Sequence, residues 1–363
     1  MNGEGKKKIT PAFLMLVAVA LTVLLWPVSR WIGTVFSPVL GRLLLLVLTV
    51  LGISTMVSYM LPVGRLRSIL HALGEFFYPL FLTALPLLLA ADVVYYFRIP
   101  AAPETAMLVL CLLFVPLAAA GLIEGIRLRV KRYTAVLRSG EPLRVVLVSD
   151  LHLGCFTPAG MSETLADAVL AEKPDLVIIA GDLFDDRFES LSEKRRGRIR
   201  AGFLRLSEAV PVYACEGNHD LLCPDPRKDA FIRDCGIQML LDESIEIHGV
   251  RFVFRRDAVN KRRAAPQTLF PRDGVPTVAV DHNPFSCSEA WENGASLVLS
   301  GHTHAGQTFP GTLLYKTRLV RGYGCFTEGE KQLIVTSGAG IYGCPIRLGA
   351  AREIVTVDMG RRV

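Results

Sequence analysis

No two of the eight cysteines stand as a C-x-x-C pair, and neither an internal repeat nor a low-complexity linker is present. The first absence removes the usual thiolate zinc or redox-dithiol reading, and the second removes solenoid architectures. Histidine is also scarce, at seven in 363 residues. Charge of one sign is missing where it would matter most. Eight of the 40 basic and four of the 34 acidic residues fall in the first 123, which leaves 32 basic against 30 acidic in the remainder. A nearly neutral C-terminal part argues against a nucleic-acid binder that works by bulk charge.

Long apolar runs are present. The chain is 51% hydrophobic with a mean hydropathy of +0.39, too apolar for one soluble globule. The excess sits in four runs, Pro11 to Trp26, Leu43 to Leu61, Phe76 to Phe97 and Thr105 to Ile123, each near the ~20 residues that span a bilayer. "WPVSRWIGT" offers no small-x-small cleavage site after the first, so that run reads as an anchor. Ten Lys and Arg residues flank the spans on the side of the N-terminus, among them Lys6, Lys7, Lys8, Arg65, Arg67 and Arg127 to Arg138, against Arg30, Arg42 and Arg98 on the other. That bias predicts a multi-pass inner-membrane protein with its C-terminal domain in the cytoplasm, where the cysteines are reduced thiols. Cys155 and Cys215 stand close to the polar motifs described next. Asp92 lies inside the third run but near its end, where interfacial solvation is expected. The division predicted is a transmembrane region over 1–123, a basic juxtamembrane linker over 124–142 and a catalytic domain over 143–363.

From residue 143 apolar strand-like runs alternate with helical stretches, which is α/β wiring. "IEIHGVRFVF" predicts a hairpin turning at His248 and Gly249. Five strands end in metal-ligand chemistry: Asp150 and His152 in "SDLHLG", Asp182 in "GDLFD", Asn218 and His219 in "GNHD", His282 in "DHNP", and His302 and His304 in "GHTH". In an open α/β sheet such loops converge beyond the carboxyl ends of the strands. Five of the seven histidines fall in them, so a scattered surface set is excluded. The donors are too many for one ion and suit two, with Asp182 the shared carboxylate. Mixed carboxylate, amide and imidazole ligation selects manganese first, then iron or zinc, over magnesium or calcium.

The order D-x-H, G-D-x-x-D, G-N-H-D, H-x-P, G-H-x-H resembles the calcineurin-like metallophosphoesterases over roughly residues 143 to 359. Within that family "GHTHAGQ" and "SGAGIYGCPIRLGAAREIVTV" are similar to segments of bacterial membrane-associated phosphodiesterases, and relatives include UDP-2,3-diacylglucosamine pyrophosphatases. The resemblance implies an αββα sandwich following a four-helix transmembrane bundle. It implies Asp150, His152 and His304 on one metal, Asn218, His282 and His302 on the other, and Asp182 between them. It leaves His219 as the catalytic non-ligand, with Asp185 and Asp220 orienting imidazoles from behind. It implies hydrolysis of a phosphodiester or pyrophosphate, with a lipid-linked substrate such as UDP-2,3-diacylglucosamine as the sharp reading. A general phosphodiesterase or phosphomonoesterase tethered to the membrane is the alternative, and a non-catalytic scaffold would require a missing ligand. Three features depart from the family pattern, the first being Phe285, which follows Asn283 and Pro284 where an acid is common. Asp281 precedes His282 where a small residue is expected, and "FRRDAVNKRR" replaces a glycine-containing turn. In the basic run "RFVFRRDAVNKRR" (251 to 263), Arg251, Arg255 and Arg256 are candidate contacts for an anionic substrate or headgroup.

Overall fold

A computed structural model of the chain describes residues 10–61, 65–97, 103–137, 141–154, 156–158, 160–185, 188–222 and 225–361. Lys6 to Lys8, Arg98, Arg138 and Cys155 lie outside these. The chain divides into two compact units, Met1–Ile123 and Glu124–Val363.

The first unit holds α1 (Pro11–Val35), α2 (Pro38–Met60), α3 (Arg65–Tyr96) and most of α4 (Pro103–Ile126). All four are long and apolar enough to cross a membrane. Two of them start where local chemistry dictates. The hydroxyls of Thr10 and Ser37 accept the backbone N–H of Phe13 and Leu40, both at 3.2 Å, and Pro11 and Pro38 open the helices that follow. Leu21, Leu25, Leu45, Phe77 and Phe81 form a small core among α1, α2 and α3. Asp92 of α3 finds partners on α1. Its carboxylate pairs with Arg30 and accepts from the Trp31 indole N–H at 3.3 Å, so α1 supplies the counter-charge to a carboxylate on α3.

The second unit contains twelve strands among its described residues: β1 (Leu128–Leu137), β2 (Leu143–Val148), β3 (Leu176–Ala180), β4 (Val212–Cys215), β5 (Gln238–Met239), β6 (Glu243–Ile247), β7 (Val250–Phe254), β8 (Thr277–Val280), β9 (Leu297–Ser300), β10 (Gly324–Glu328), β11 (Lys331–Val335) and β12 (Arg352–Arg361). Its helices are α5 (Met161–Ala171), α6 (Glu193–Ala209), α7 (Asn218–Leu222), α8 (Pro226–Asp234), α9 (Cys287–Glu292) and α10 (Gly311–Lys316). The strands form two six-stranded sheets, ordered β1-β12-β2-β3-β4-β5 and β10-β11-β9-β8-β7-β6. This is the αββα sandwich that the resemblance implies. Strand alternation builds it. Val145, Leu147, Leu176 and Ile178 meet Phe252, Phe254, Val278 and Leu297 between the sheets, while Val146, Val148, Val177 and Ile179 turn outward to α5, α6 and α8. Ala290 and Trp291 of α9 cover the outer face of the second sheet.

The segment read as a basic linker carries a strand. β1 pairs in parallel with β12 from Leu128↔Arg352 to Leu137↔Arg361. Tyr133, Ala135 and Leu137 face the sandwich interior, and Leu128 and Val130 face the helix layer. The positive charges of this stretch conceal a period-two apolar pattern. The predicted hairpin is present as β6 and β7, with Ile247 opposite Val250 and positive φ at His248 and Gly249, as a two-residue turn requires.

Candidate metal centre

The loops after β2, β3 and β4 of the first sheet and after β8 and β9 of the second bring the seven predicted ligands together. Asp150 Oδ1 lies 3.5 Å from His304 Nε2 and 3.8 Å from His152 Nε2. The two histidines face each other through Nε2 at 3.1 Å. On the other side His282 Nε2 is 3.1 Å from Asp182 Oδ2, 3.2 Å from Asn218 Oδ1 and 3.3 Å from His302 Nδ1, and that Nδ1 is 2.9 Å from Asn218 Oδ1. Asp182 Oδ2 also stands 3.7 Å from His152 Nε2, so one carboxylate reaches both groups.

This donor set fits two cations. Ring nitrogens at 3.1 and 3.3 Å set lone pairs against each other unless a cation or proton lies between, and two ligands held ~2.1 Å from one ion stand at about this separation. The backbone adds a second indication. Asp150, His152, Asp182, His302 and His304 all have φ between 45° and 75°. This left-handed conformation costs a non-glycine residue roughly 1–2 kcal/mol, and such strain concentrates at functional sites.

Hydrogen bonds hold these turns. The N–H groups of Asp150 and His152 donate to the carbonyls of Gly181 and Asp182, both at 3.1 Å, and His302 N–H donates to the Asp150 carboxylate. Close approach needs glycine at two positions. A Cβ on Gly301 would stand 1.9 Å from Ser149 Oγ, and one on Gly217 would stand 2.2 Å from Asp182 Oδ1.

The surrounding layer differs in part from expectation. Asp185 sits beside the imidazoles, its Oδ1 3.5 Å from His152 Nδ1 and 3.6 Å from His219 Nδ1. Asp220 touches no ring. Its carboxylate accepts the N–H groups of Leu183, Phe184 and Gly217 at 3.0–3.1 Å, bracing the loop that carries Asp182. His219 donates Nδ1–H to the Asp185 carbonyl at 3.0 Å, which leaves Nε2 as its second functional atom. His152, Asp182 and His219 also offer atoms within 4.8 Å of one another, so the non-ligand role of His219 rests on the resemblance.

Electrostatics follow from crowding. Burial lowers the pKa of His152 and His282, but the carboxylates around them outweigh it and hold both at about 10. Burial alone would raise Asp150 and Asp182, and the neighbouring imidazoles instead hold both well below the usual carboxylate range. Burial pushes the Cys215 thiol well up, so this core residue of β4 is a poor nucleophile despite its position.

The arginine candidates serve other purposes. Arg251 is buried at the amino end of β7, bound to Asp273 at 2.7 Å and to Glu246. Arg255 is buried against Glu289 at 2.9 Å. Both are thereby removed as headgroup contacts, and Arg256 stands 3.6 Å from Asp242. The same segment explains the unexpected acid, since Arg263 pairs with buried Asp281 at 2.6 Å. Two site residues were missed by sequence reasoning. The Tyr342 ring stacks on His304 at 5.2 Å and lies 4.9 and 5.1 Å from the rings of His152 and His219. Buried Arg347 reaches His304 Nδ1 at 3.5 Å while its other N–H groups tie down the carbonyls of Ser337, Gly340 and Ala351. Both belong to "SGAGIYGCPIRLGA", whose run of small residues was the available signal.

Residues 143–306 match the family described as calcineurin-like phosphoesterase. An uncharacterized metallophosphoesterase of Helicobacter pylori is 29% identical over 247 residues, covering 64% of this chain and 65% of that protein. A transmembrane protein with metallophosphoesterase domain from Danio rerio is 28% identical over 243 residues, 59% of this chain and 52% of its own length. Phosphodiesterase YaeI of Escherichia coli is 26% identical over 237 residues, 61% of this chain and 83% of that protein. The match thus spans less than two thirds of the Helicobacter and Danio proteins.

Proposed function

We propose that this chain, whose residues 143–306 match the calcineurin-like phosphoesterase family, is a membrane-anchored phosphohydrolase that cleaves a phosphodiester or pyrophosphate bond. The observation that carries the reading is the pair of donor groups meeting at Asp182, with His219 beside them and its Nδ1 committed to a carbonyl. Asp150, His152 and His304 would hold one divalent ion and Asn218, His282 and His302 the other. A bound pair of such ions polarises phosphate oxygens and supplies hydroxide near neutral pH.

The chain's own residues do the rest. Asp150 and Asp182, buried and ionised in their imidazole cage, would compensate the positive charge of the bound ions. The carbonyl of Ala180 accepts Nδ1–H from His282 at 2.8 Å and sets that ring's tautomer, so Nε2 points inward. His219, with Nδ1 committed to the Asp185 carbonyl, would use Nε2 to stabilise the transferring phosphoryl group or to protonate the departing oxygen. Four apolar helices exceed what anchoring requires, since one span already gives effectively irreversible insertion. This supports a lipid-linked substrate, which can bring its phosphate to the site from the bilayer.

The test is turnover by the metal-reconstituted full chain on three substrates: a nucleotide-lipid pyrophosphate in mixed micelles, a soluble aryl diester and an aryl monoester. The lipid pyrophosphate is expected to be preferred, with the diester next. Equal turnover of the two soluble esters and none of the lipid would replace this reading with a tethered general phosphoesterase.

A further inference from the structure

Among the described residues, large apolar side chains exposed on the catalytic unit gather at one end of it. Beyond Ile126, and among the described residues, all of them except Val136 lie in loops that leave the carboxyl ends of β4, β7, β8, β9 and β11. That is the end where the ligands converge. Leu222 closes α7 three residues after His219, and Phe285 follows His282 by three, exposed by 65% and 53%. Val259 tops the loop after β7. The segment after His304 adds Phe309, Leu313, Leu314 and Leu319, the last 77% exposed. Tyr342 completes the set while stacking on His304 itself. Single exposed apolar residues need no explanation, but a set gathered at the mouth of a site marks an interaction surface.

The charges interleaved with them identify the partner. Arg262 is exposed beside Val259, and Lys316 and Arg318 are exposed within the Leu313 to Leu319 stretch. Arg321 nearby is neutralised by Glu328 at 2.7 Å. Aliphatic and aromatic tips mixed with cations match the boundary of an anionic bilayer, where the tips enter the acyl region and the cations meet headgroup phosphates. The chain also carries four helices able to cross such a bilayer.

We infer that the rim of the metal centre docks on the anionic phospholipid leaflet to which the chain is anchored. The site then opens into the headgroup layer, and an amphiphile presents its phosphate without leaving the membrane. This builds on the reading of the chain as a membrane-anchored phosphohydrolase and adds the surface through which it meets its substrate.

The experiment uses the full chain in proteoliposomes containing phosphatidylglycerol, with Cys111, Cys155 and Cys223 replaced by serine. An environment-sensitive fluorophore is placed on Leu314→Cys, on Phe285→Cys, or on Glu208→Cys at the opposite end of the strands. Lipids bearing a spin label in the acyl chain should remove most of the emission at 314 and 285 and little at 208. The difference should shrink when the anionic lipid is replaced by a zwitterionic one. Equal emission at all three positions overturns the inference. So does protection at 314 and 285 that follows protein density rather than labelled lipid, since the rim would then meet a second copy. The readout needs no turnover: an inactive protein with quenched rim probes would retire the hydrolase reading alone, and an active one with unquenched probes would retire the docking alone.

Discussion

At the level of single residues, Asp182 and His219 should fail differently. Asp182 is within reach of both donor groups, so Asp182→Ala leaves two cations without their common counter-charge and should abolish hydrolysis together with stoichiometric metal. His219→Ala should keep both ions and lose roughly 10²-fold to 10⁴-fold in rate, the usual worth of general acid catalysis. Metal analysis of purified His219→Ala decides the matter, and loss of both ions there would make it a ligand. The cage also sets a pH dependence. His152 and His282 have folded-state values of about 10, above the ordinary 6.5. Their protonated rings therefore stabilise the metal-free fold in full below pH 6.5, and that contribution disappears as the pH rises through 10. Divalent ions displace those protons, so metal affinity should climb across the same window. Melting curves of chelated and metal-loaded protein between pH 6 and pH 10 test this. A melting temperature of the chelated form that does not move with pH would refute it.

At the level of elements, β1 turns a charge-rich stretch into part of the sandwich. Its two faces should answer differently to the same substitution. Ala135 is fully buried between the sheets, whereas Val136 is 43% exposed. Ala135→Asp should destabilise the catalytic unit by about 3 kcal/mol or more, the cost of an unpaired buried carboxylate. Val136→Asp should stay within roughly 0.5 kcal/mol, as surface changes do. Thermal unfolding of the two full-length variants measures the contrast, and equal tolerance would restore the linker reading. Lys131 shows why the strand escaped notice. It counts as a juxtamembrane cation in the sequence, but its ammonium lies 3.7 Å from the carboxylate of Glu353 on β12, which is almost wholly buried. Charge composition does not distinguish a cation that faces solvent from one that faces a carboxylate 222 residues along the chain.

At the level of the whole molecule, the flanking charges make a topological prediction. Ten positive residues on one side against three on the other should place a reporter fused after Val363, or inserted after Arg67, in the cytoplasm. A phosphatase reporter active only after export and a fluorescent reporter active only in the cytoplasm give opposite signals at each position. Export of the C-terminal fusion would move the catalytic unit to the far side of the membrane and end the assumption of reduced cysteines.

The sequence by itself determined whatever depends on a short stretch of chain. A span is legible because its length and apolarity are local, and a ligand loop is legible because a strand must stop before its polar end can reach a metal. Those two rules found the four long helices and the strand-end residues that the loops bring together, His219 among them. Only the tertiary structure decided what lies opposite what. Asp281 acquired its reason from Arg263, Arg251 and Arg255 were claimed by Asp273 and Glu289, Asp220 turned to backbone instead of imidazole, and Tyr342 arrived over His304 from the far side of β11. Each of these is a contact between residues whose types are ordinary where they stand. Their meaning is a distance that appears only once two sheets have closed on each other.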